Sequence, residues 1–237
     1  MTKSPKAIEI APVDTVEIIV EPWIWPFAQA HRKDMDRHFA ARQRQRPALW
    51  DGRVLLLHRY ALENGVLRGA SFETDYASVL AWCDWGRPAA GVFNIAAIAG
   101  LQSADGAFLL GQMAPFTALA GQWVFPGGTP DLDDIDHGGM LDLAHTVARE
   151  LFEETGLDIG ARKVEAGWML VRDGAFIALI QRVKVNESAE RLRTNIIHHL
   201  ASEAQPEFSA VRIVRGRADL DPATAPFLVK YLTVAWS

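Results

Sequence analysis

Cysteine is nearly absent: Cys83 is the sole one in 237 residues. An intramolecular disulfide and a cysteine-built metal centre are thereby excluded, and the apolar run before Cys83 predicts a buried thiol. Long hydrophobic runs are missing as well. No stretch approaches the roughly 18 apolar residues that a membrane-spanning helix needs. Residues 1–20, interrupted by Glu9, Asp14 and Glu17, lack the apolar segment of a secretory leader. A reducing cytoplasm is the setting these absences predict. Positive charge is in short supply too, with 24 Lys+Arg against 29 Asp+Glu and a net charge of −5. That balance argues against nucleic acid as the principal partner, and the one basic stretch, Arg42-Gln-Arg-Gln-Arg46, reads as a solvated segment. Neither a Gly-Lys-Ser/Thr phosphate loop nor a nucleophile elbow is present, so neither ATP-driven work nor serine-nucleophile chemistry is indicated.

What is present is enough chain for a full core and clear signals for sheet. Three Asx-Gly pairs, Asn64-Gly65, Asp105-Gly106 and Asp173-Gly174, each separate two apolar runs. Such pairs mark tight hairpins, so antiparallel or mixed sheet is expected rather than a row of βαβ units. Helical spacing covers residues 27–44, a segment opening at Thr74 or Asp75, and residues 186–203, where Ala189, Leu192, Ile196, Ile197 and Leu200 fall in register. A last helix is expected from Asp221 or Pro222 through Tyr231. The segment Gly86-Arg-Pro-Ala-Ala-Gly91 reads as the internal boundary, dividing the chain into residues 1–91 and 92–237.

The most informative residues are Arg149-Glu-Leu-Phe-Glu-Glu-Thr-Gly-Leu157, preceded by Phe125-Pro-Gly-Gly128. Trp123-Val-Phe suits a short strand and Pro126-Gly127-Gly128 a sharp turn. Residues 143–155 then make a helix whose apolar positions lie largely opposite its acidic ones. Glu150, Glu153 and Glu154, at i, i+3 and i+4, share one side of that helix. Each like-charge pair there costs roughly 0.2–0.5 kcal/mol. A hard divalent cation removes the penalty and accepts carboxylate oxygens as ligands. Arg149, four residues before Glu153, is placed to steady one carboxylate, and Gly156 ends the helix in a left-handed turn.

This order of strand, glycine loop, acidic helix and glycine stop resembles the Nudix hydrolases. Their box runs Gly, five residues, Glu, seven residues, Arg-Glu-apolar-x-Glu-Glu-x-Gly-apolar. Arg149 to Leu157 match its second half residue for residue, and Phe-Pro-Gly-Gly matches its lead-in. Two departures stand out. Gly128 and Arg149 are further apart than the family pattern allows, with residues 129–140 as the insertion. Leu141 occupies the place of the first Glu, with Asp142 beside it.

The resemblance implies an α/β/α sandwich with mixed sheet over residues 92–237. Residues 1–91 are then an N-terminal hairpin-and-helix extension that serves in substrate recognition. Asp51-Gly and Thr74-Asp-Tyr in that extension are similar to the UDP-sugar-cleaving branch. The activity implied is hydrolysis of a nucleoside diphosphate linked to another moiety, a nucleotide sugar being favoured, with Mg²⁺ or Mn²⁺ as cofactor. Glu150, Glu153 and Glu154 are the expected metal ligands and, with Arg149, the catalytic set. Gly127 and Gly128 are expected to let the backbone approach phosphate. Pairing into a homodimer is open, as many relatives pair. A second reading, prompted by Leu141 and the long loop, is a non-catalytic nucleotide-binding module on a degenerate scaffold.

Weaker candidates remain. Glu203 and Glu207 are loop carboxylates able to serve as a base, each read first as a surface residue. His137 and His145 flank the box and are expected in solvent. His198-His199 is a poor metal pair, since adjacent helical residues diverge. Among the tryptophans, Trp23, Trp25 and Trp50 are better placed than Trp123 or Trp168 to stack on a base, with core packing the first reading for each.

Overall fold

A computed structural model describes residues 7–47, 49, 51–88, 91–161 and 163–237 of the chain. Trp50 and part of the Gly86–Gly91 boundary lie outside the described residues. The chain forms two compact units, one of residues 1–14, 96–128 and 143–237, the other of residues 15–95 and 129–142. The chain passes between these units four times, after residues 14, 95, 128 and 142.

Strand β1 (Glu9–Val13) belongs to the larger unit. The smaller unit follows with β2 (Thr15–Val20), α1 (Pro26–Gln45), β3 (Arg53–Glu63), β4 (Val66–Asp75) and α2 (Tyr76–Asp84). The Asn64-Gly65 hairpin joins β3 to β4 antiparallel, and β2 adds to β4 in parallel. Asp75 caps α2, accepting from the Ser78 amide at 2.8 Å, and its other oxygen holds Arg32 of α1 at 2.7 Å. Trp25 is core, edge-on to Trp82 at 5.7 Å between ring centroids, which removes it as a stacking platform. Trp23 is half-buried and stacked on His58 at 4.8 Å. Cys83 is half-buried rather than buried, because it falls in the last turn of α2, beyond the inward stripe that ends at Trp82.

Residues 129–142 are an ordered part of this same unit. The Leu55 amide donates to the Pro130 carbonyl at 2.9 Å, Val20 to Gly139 at 2.9 Å, and Leu141 to Ile18 at 2.8 Å. Its aspartates shape it from within. Asp131 and Asp134 cap each other's amides around the 3₁₀ turn Leu132–Asp134, and Asp136 Oδ1 accepts from Gly138 and Met140. The lengthened loop and the N-terminal extension are thus one structural feature. Leu141 is 5% exposed, so a core leucine stands at the position of the first box glutamate.

The larger unit continues with β5 (Asn94–Gln102), β6 (Phe108–Met113), β7 (Trp123–Val124), β8 (Gly127–Gly128), α3 (Leu143–Thr155), β9 (Lys163–Val164), β10 (Trp168–Asp173), β11 (Phe176–Lys184), α4 (Ala189–Ser202), β12 (Phe208–Val214) and α5 (Pro226–Ala235). Its sheet runs β1-β10-β11-β5-β6-β12, with β7 on β6, β8 on β5 and β9 on β11. Central β5 is buried along almost its whole length, as a strand covered on both faces must be. Phe108 meets Tyr231 and Trp236 at the α5 side, while Leu109 lines a small apolar gap with Thr155 of α3 and Ile196 of α4. Helices therefore cover both faces of the sheet, the α/β/α sandwich that the resemblance implies. Helix α5 begins at Pro226, later than expected. Asp221 is spent on the Ala223 amide (2.9 Å) and on Arg212 (2.8 Å), which makes a turn there instead. Among the described residues no helix is long and apolar enough to cross a membrane.

Candidate active site

The site is built from β8 and the C-terminal half of α3. Gly127 and Gly128 pair with Ile98 and Ala97 of β5. Gly127 has φ +154°, and a Cβ there would lie 2.5 Å from the Ala97 carbonyl oxygen. Only glycine permits that approach to the strand. A Cβ on Gly128 would meet a side chain instead, 2.3 Å from Glu150 Oε1. The two glycines make room for different things, the first for backbone and the second for a carboxylate.

Leu143, Val147 and Leu151 pack α3 onto the sheet, each fully buried aliphatic chain contributing about 1.5–3 kcal/mol as an upper estimate. Because successive helical residues turn by about 100°, Glu153 and Glu154 straddle Glu150 rather than stack beneath it. Glu154 turns toward the sheet, is 4% exposed, and accepts the Gly127 N–H at 2.9 Å. Glu150 is intermediate, its side chain 16% exposed, while the Glu153 side chain is 55% exposed. Arg149 Nη1 lies 3.0 Å from Glu150 Oε1 and 3.3 Å from Glu153 Oε2, so it steadies two carboxylates where one was expected.

Burial first, and then the charge of Glu150, hold the Glu154 carboxyl well above its ordinary range; Glu207 and Glu153 add to this, and the Gly127 N–H opposes it. Glu207 precedes β12. Burial and then the charge of Glu153 push its carboxyl up, although the residue as a whole is exposed. The charge of Glu153 acts on Glu207, screened in part because Glu153 is exposed. Glu203 sits exposed at the end of α4. His137, His145 and His198 are exposed, as expected.

The NUDIX domain model matches residues 92–215, more than half of the chain. The chain belongs to the Nudix family. Membership makes it a pyrophosphohydrolase. Comparison with curated proteins gives no match. Among solved structures it is similar to the MutT protein from Methanosarcina mazei Go1, with 18% identity, TM-score 0.42, and coverage of 60% of this chain and 92% of that one. It is similar to the Nudix hydrolase RenU from M. smegmatis, with 20% identity, TM-score 0.39, and 61% and 84% coverage. It is also similar to a bifunctional NMN adenylyltransferase/ADP ribose pyrophosphatase from Francisella tularensis, solved with AMP and a Mn ion, at 17% identity, TM-score 0.34, and 54% and 35% coverage. Likenesses at this level carry nothing about substrate.

Nudix membership implies a divalent cation. Among the described residues no three His, Cys, Asp or Glu side chains are gathered tightly enough to hold one. The expected convergence of Glu150, Glu153 and Glu154 is therefore incomplete, for the helical reason given above. The donor chemistry nevertheless fits. The charges of Glu150, Glu207 and Glu153 oppose ionisation of the buried Glu154 carboxyl, an opposition that a hard cation offsets.

The same opposition makes stability depend on pH. With its folded pKa raised above 4.5, Glu154 keeps its proton in the folded, metal-free chain where the unfolded chain has released it. Its stabilising contribution is full below the unfolded value and is lost as pH rises through the folded one. The melting temperature of the metal-free chain should therefore fall as pH rises above 4.5, and Glu154→Gln should flatten that fall. Melting curves across pH check this; an unchanged slope in the variant would rule Glu154 out as the source.

Proposed function

We propose that the chain hydrolyses the diphosphate linkage of a nucleoside diphosphate joined to a second group, a nucleotide sugar being the leading substrate, with Mg²⁺ or Mn²⁺ as cofactor. The observation that carries this is the buried Glu154 carboxyl, repelled by Glu150, Glu207 and Glu153 and set against Gly127. In this reading Glu150, Glu153 and Glu154 would hold the ion. When bound, such an ion polarises phosphoryl oxygens and lowers the pKa of water.

The protein's own groups do the rest. Arg149 keeps Glu150 and Glu153 placed. Gly127 and Gly128, free of side chains, allow a phosphate to approach the backbone. Glu207, with its raised proton affinity, takes the proton of the attacking water. One P–O–P bond breaks for each water consumed, and a nucleoside monophosphate and a sugar phosphate leave. The smaller unit serves in substrate recognition. Its segment 129–142 is continuous in sequence with Gly128 and with Leu143, so the loop that lengthens the box belongs to the same unit as the N-terminal strands.

The test is a Mg²⁺- or Mn²⁺-supplemented panel of nucleotide sugars, dinucleotides, coenzyme A and ADP-ribose, with products identified by mass. Nucleotide sugars are expected to be cleaved fastest, and only with metal. Cleavage confined to another class would replace the substrate. No cleavage at all, with a nucleotide raising the melting temperature without metal, would favour the binding-module reading that buried Leu141 suggests.

A further inference from the structure

His199 has no part in the reading above, yet it reaches the acidic helix directly. From the last turn of α4, its Nε2 lies 3.0 Å from the main-chain carbonyl oxygen of Glu153, 46 residues away in sequence. A carbonyl can only accept, so Nε2 must carry the proton. The imidazole lies against Gly156, where a Cβ would stand 2.8 Å from both Cγ and Nδ1 of the ring. The glycine that lets the chain leave α3 with φ +72° thus also seats the histidine.

The last four carbonyls of a helix have no partner within it. Here the Gly156 amide closes on Phe152 at 2.8 Å, and the Glu153 carbonyl is satisfied from α4. This turn bears Glu153 and Glu154, and helix ends fray unless tied. The helix that ties it is itself anchored. The Ala189 amide donates to Asp105 Oδ1 at 2.9 Å, and Arg193 Nε donates to the Val211 carbonyl at 3.0 Å.

We infer that His199 is a positioning residue, a latch from α4 that holds the last turn of α3 so that Glu153 and Glu154 keep their places as ligands. The inference rests on the proposed metal role of those two glutamates. Outer partners of ligands commonly change metal affinity by about 10-fold or more when removed.

The experiment compares the full chain with His199→Ala and His199→Gln, the latter keeping an N–H donor. Amide hydrogen exchange is read without metal, and Mn²⁺ affinity by electron paramagnetic resonance titration. In His199→Ala, exchange at the Gly156 amide should rise about 10-fold while strand amides of β5 and β11 stay unchanged, and Mn²⁺ affinity should fall about 10-fold. His199→Gln should recover most of both. Wild-type exchange in His199→Ala would overturn the latch. Faster exchange with unaltered Mn²⁺ affinity would overturn the positioning role. A wild-type chain that binds no Mn²⁺ would instead sink the proposed function, with the exchange data still deciding the latch.

Discussion

Glu154→Gln is expected to cut turnover by roughly 10²-fold or more and, without metal, to raise the melting temperature. Both effects come from one circumstance. The Glu154 carboxyl is buried, and the charges of Glu150, Glu207 and Glu153 all oppose its ionisation. An amide of the same shape still accepts the Gly127 N–H, now 2.9 Å away, but brings no charge into that setting. At a pH where Glu154 would ionise, the folded state loses a repulsion, and the proposed metal site loses a carboxylate, the usual exchange between stability and activity at a functional site. Glu153→Gln separates the two. Its side chain is 55% exposed, so the melting temperature should hardly move while turnover falls by a similar factor. Initial rates at saturating Mg²⁺, together with melting curves, check both variants. Wild-type rates in both would remove the carboxylates from the mechanism. Lost activity without gained stability in Glu154→Gln would mean that the buried charge is offset in some other way.

The second large effect distinguishes the adjacent glycines. Gly127→Ala should destabilise the chain by roughly 3 kcal/mol or more, from a strained backbone plus a clash. Its Cβ would lie 2.5 Å from the Ala97 oxygen and 2.8 Å from Ile98 Cα, and neither backbone atom can yield without disturbing β5. For a chain of this size that corresponds to a fall in melting temperature on the order of 10 °C. Gly128→Ala meets Glu150 Oε1 at 2.3 Å, the far end of a side chain that can swing away. Its stability should change by less than about 1 kcal/mol. Turnover should nevertheless fall, because a displacement of about 1 Å at a positioned group can cost on the order of 10²-fold. Unchanged activity in Gly128→Ala would argue that the position of Glu150 is immaterial. Unchanged stability in Gly127→Ala would show that β5 tolerates the added atom.

The hairpins and the principal helix were legible because their signals are local. Asn64-Gly65, Asp105-Gly106 and Asp173-Gly174 each turn between strands that pair antiparallel or sit at that turn, and α3 spans the predicted residues 143–155. Helix α5 was placed too early because Asp221 forms bonds to Ala223 and to Arg212, the latter a strand residue that local pattern does not connect to it. Core packing, the first reading for Trp25, holds, and only the fold shows that Trp82 and Phe72 are the rings that surround it. Glu207 was weighed beside Glu203 with nothing in sequence to separate them. What distinguishes them is that Glu207 enters β12 beside the acidic group, while Glu203 ends α4 in solvent. In sequence His199 is only half of a poor metal pair, because its partner is a main-chain carbonyl, and backbone acceptors leave no trace in residue identity.

From its residues alone this chain was bound to make a glycine-entered, glycine-ended acidic helix behind a short strand, since those choices depend on backbone sterics and helical periodicity within a dozen or so positions. Tertiary structure decided the rest: that Glu154 turns inward while Glu153 faces water, that residues 129–142 fold with the N-terminal strands, and that α4 reaches across to α3. Each depends on groups far apart in sequence meeting in space, and desolvation and charge act through that distance rather than along the chain.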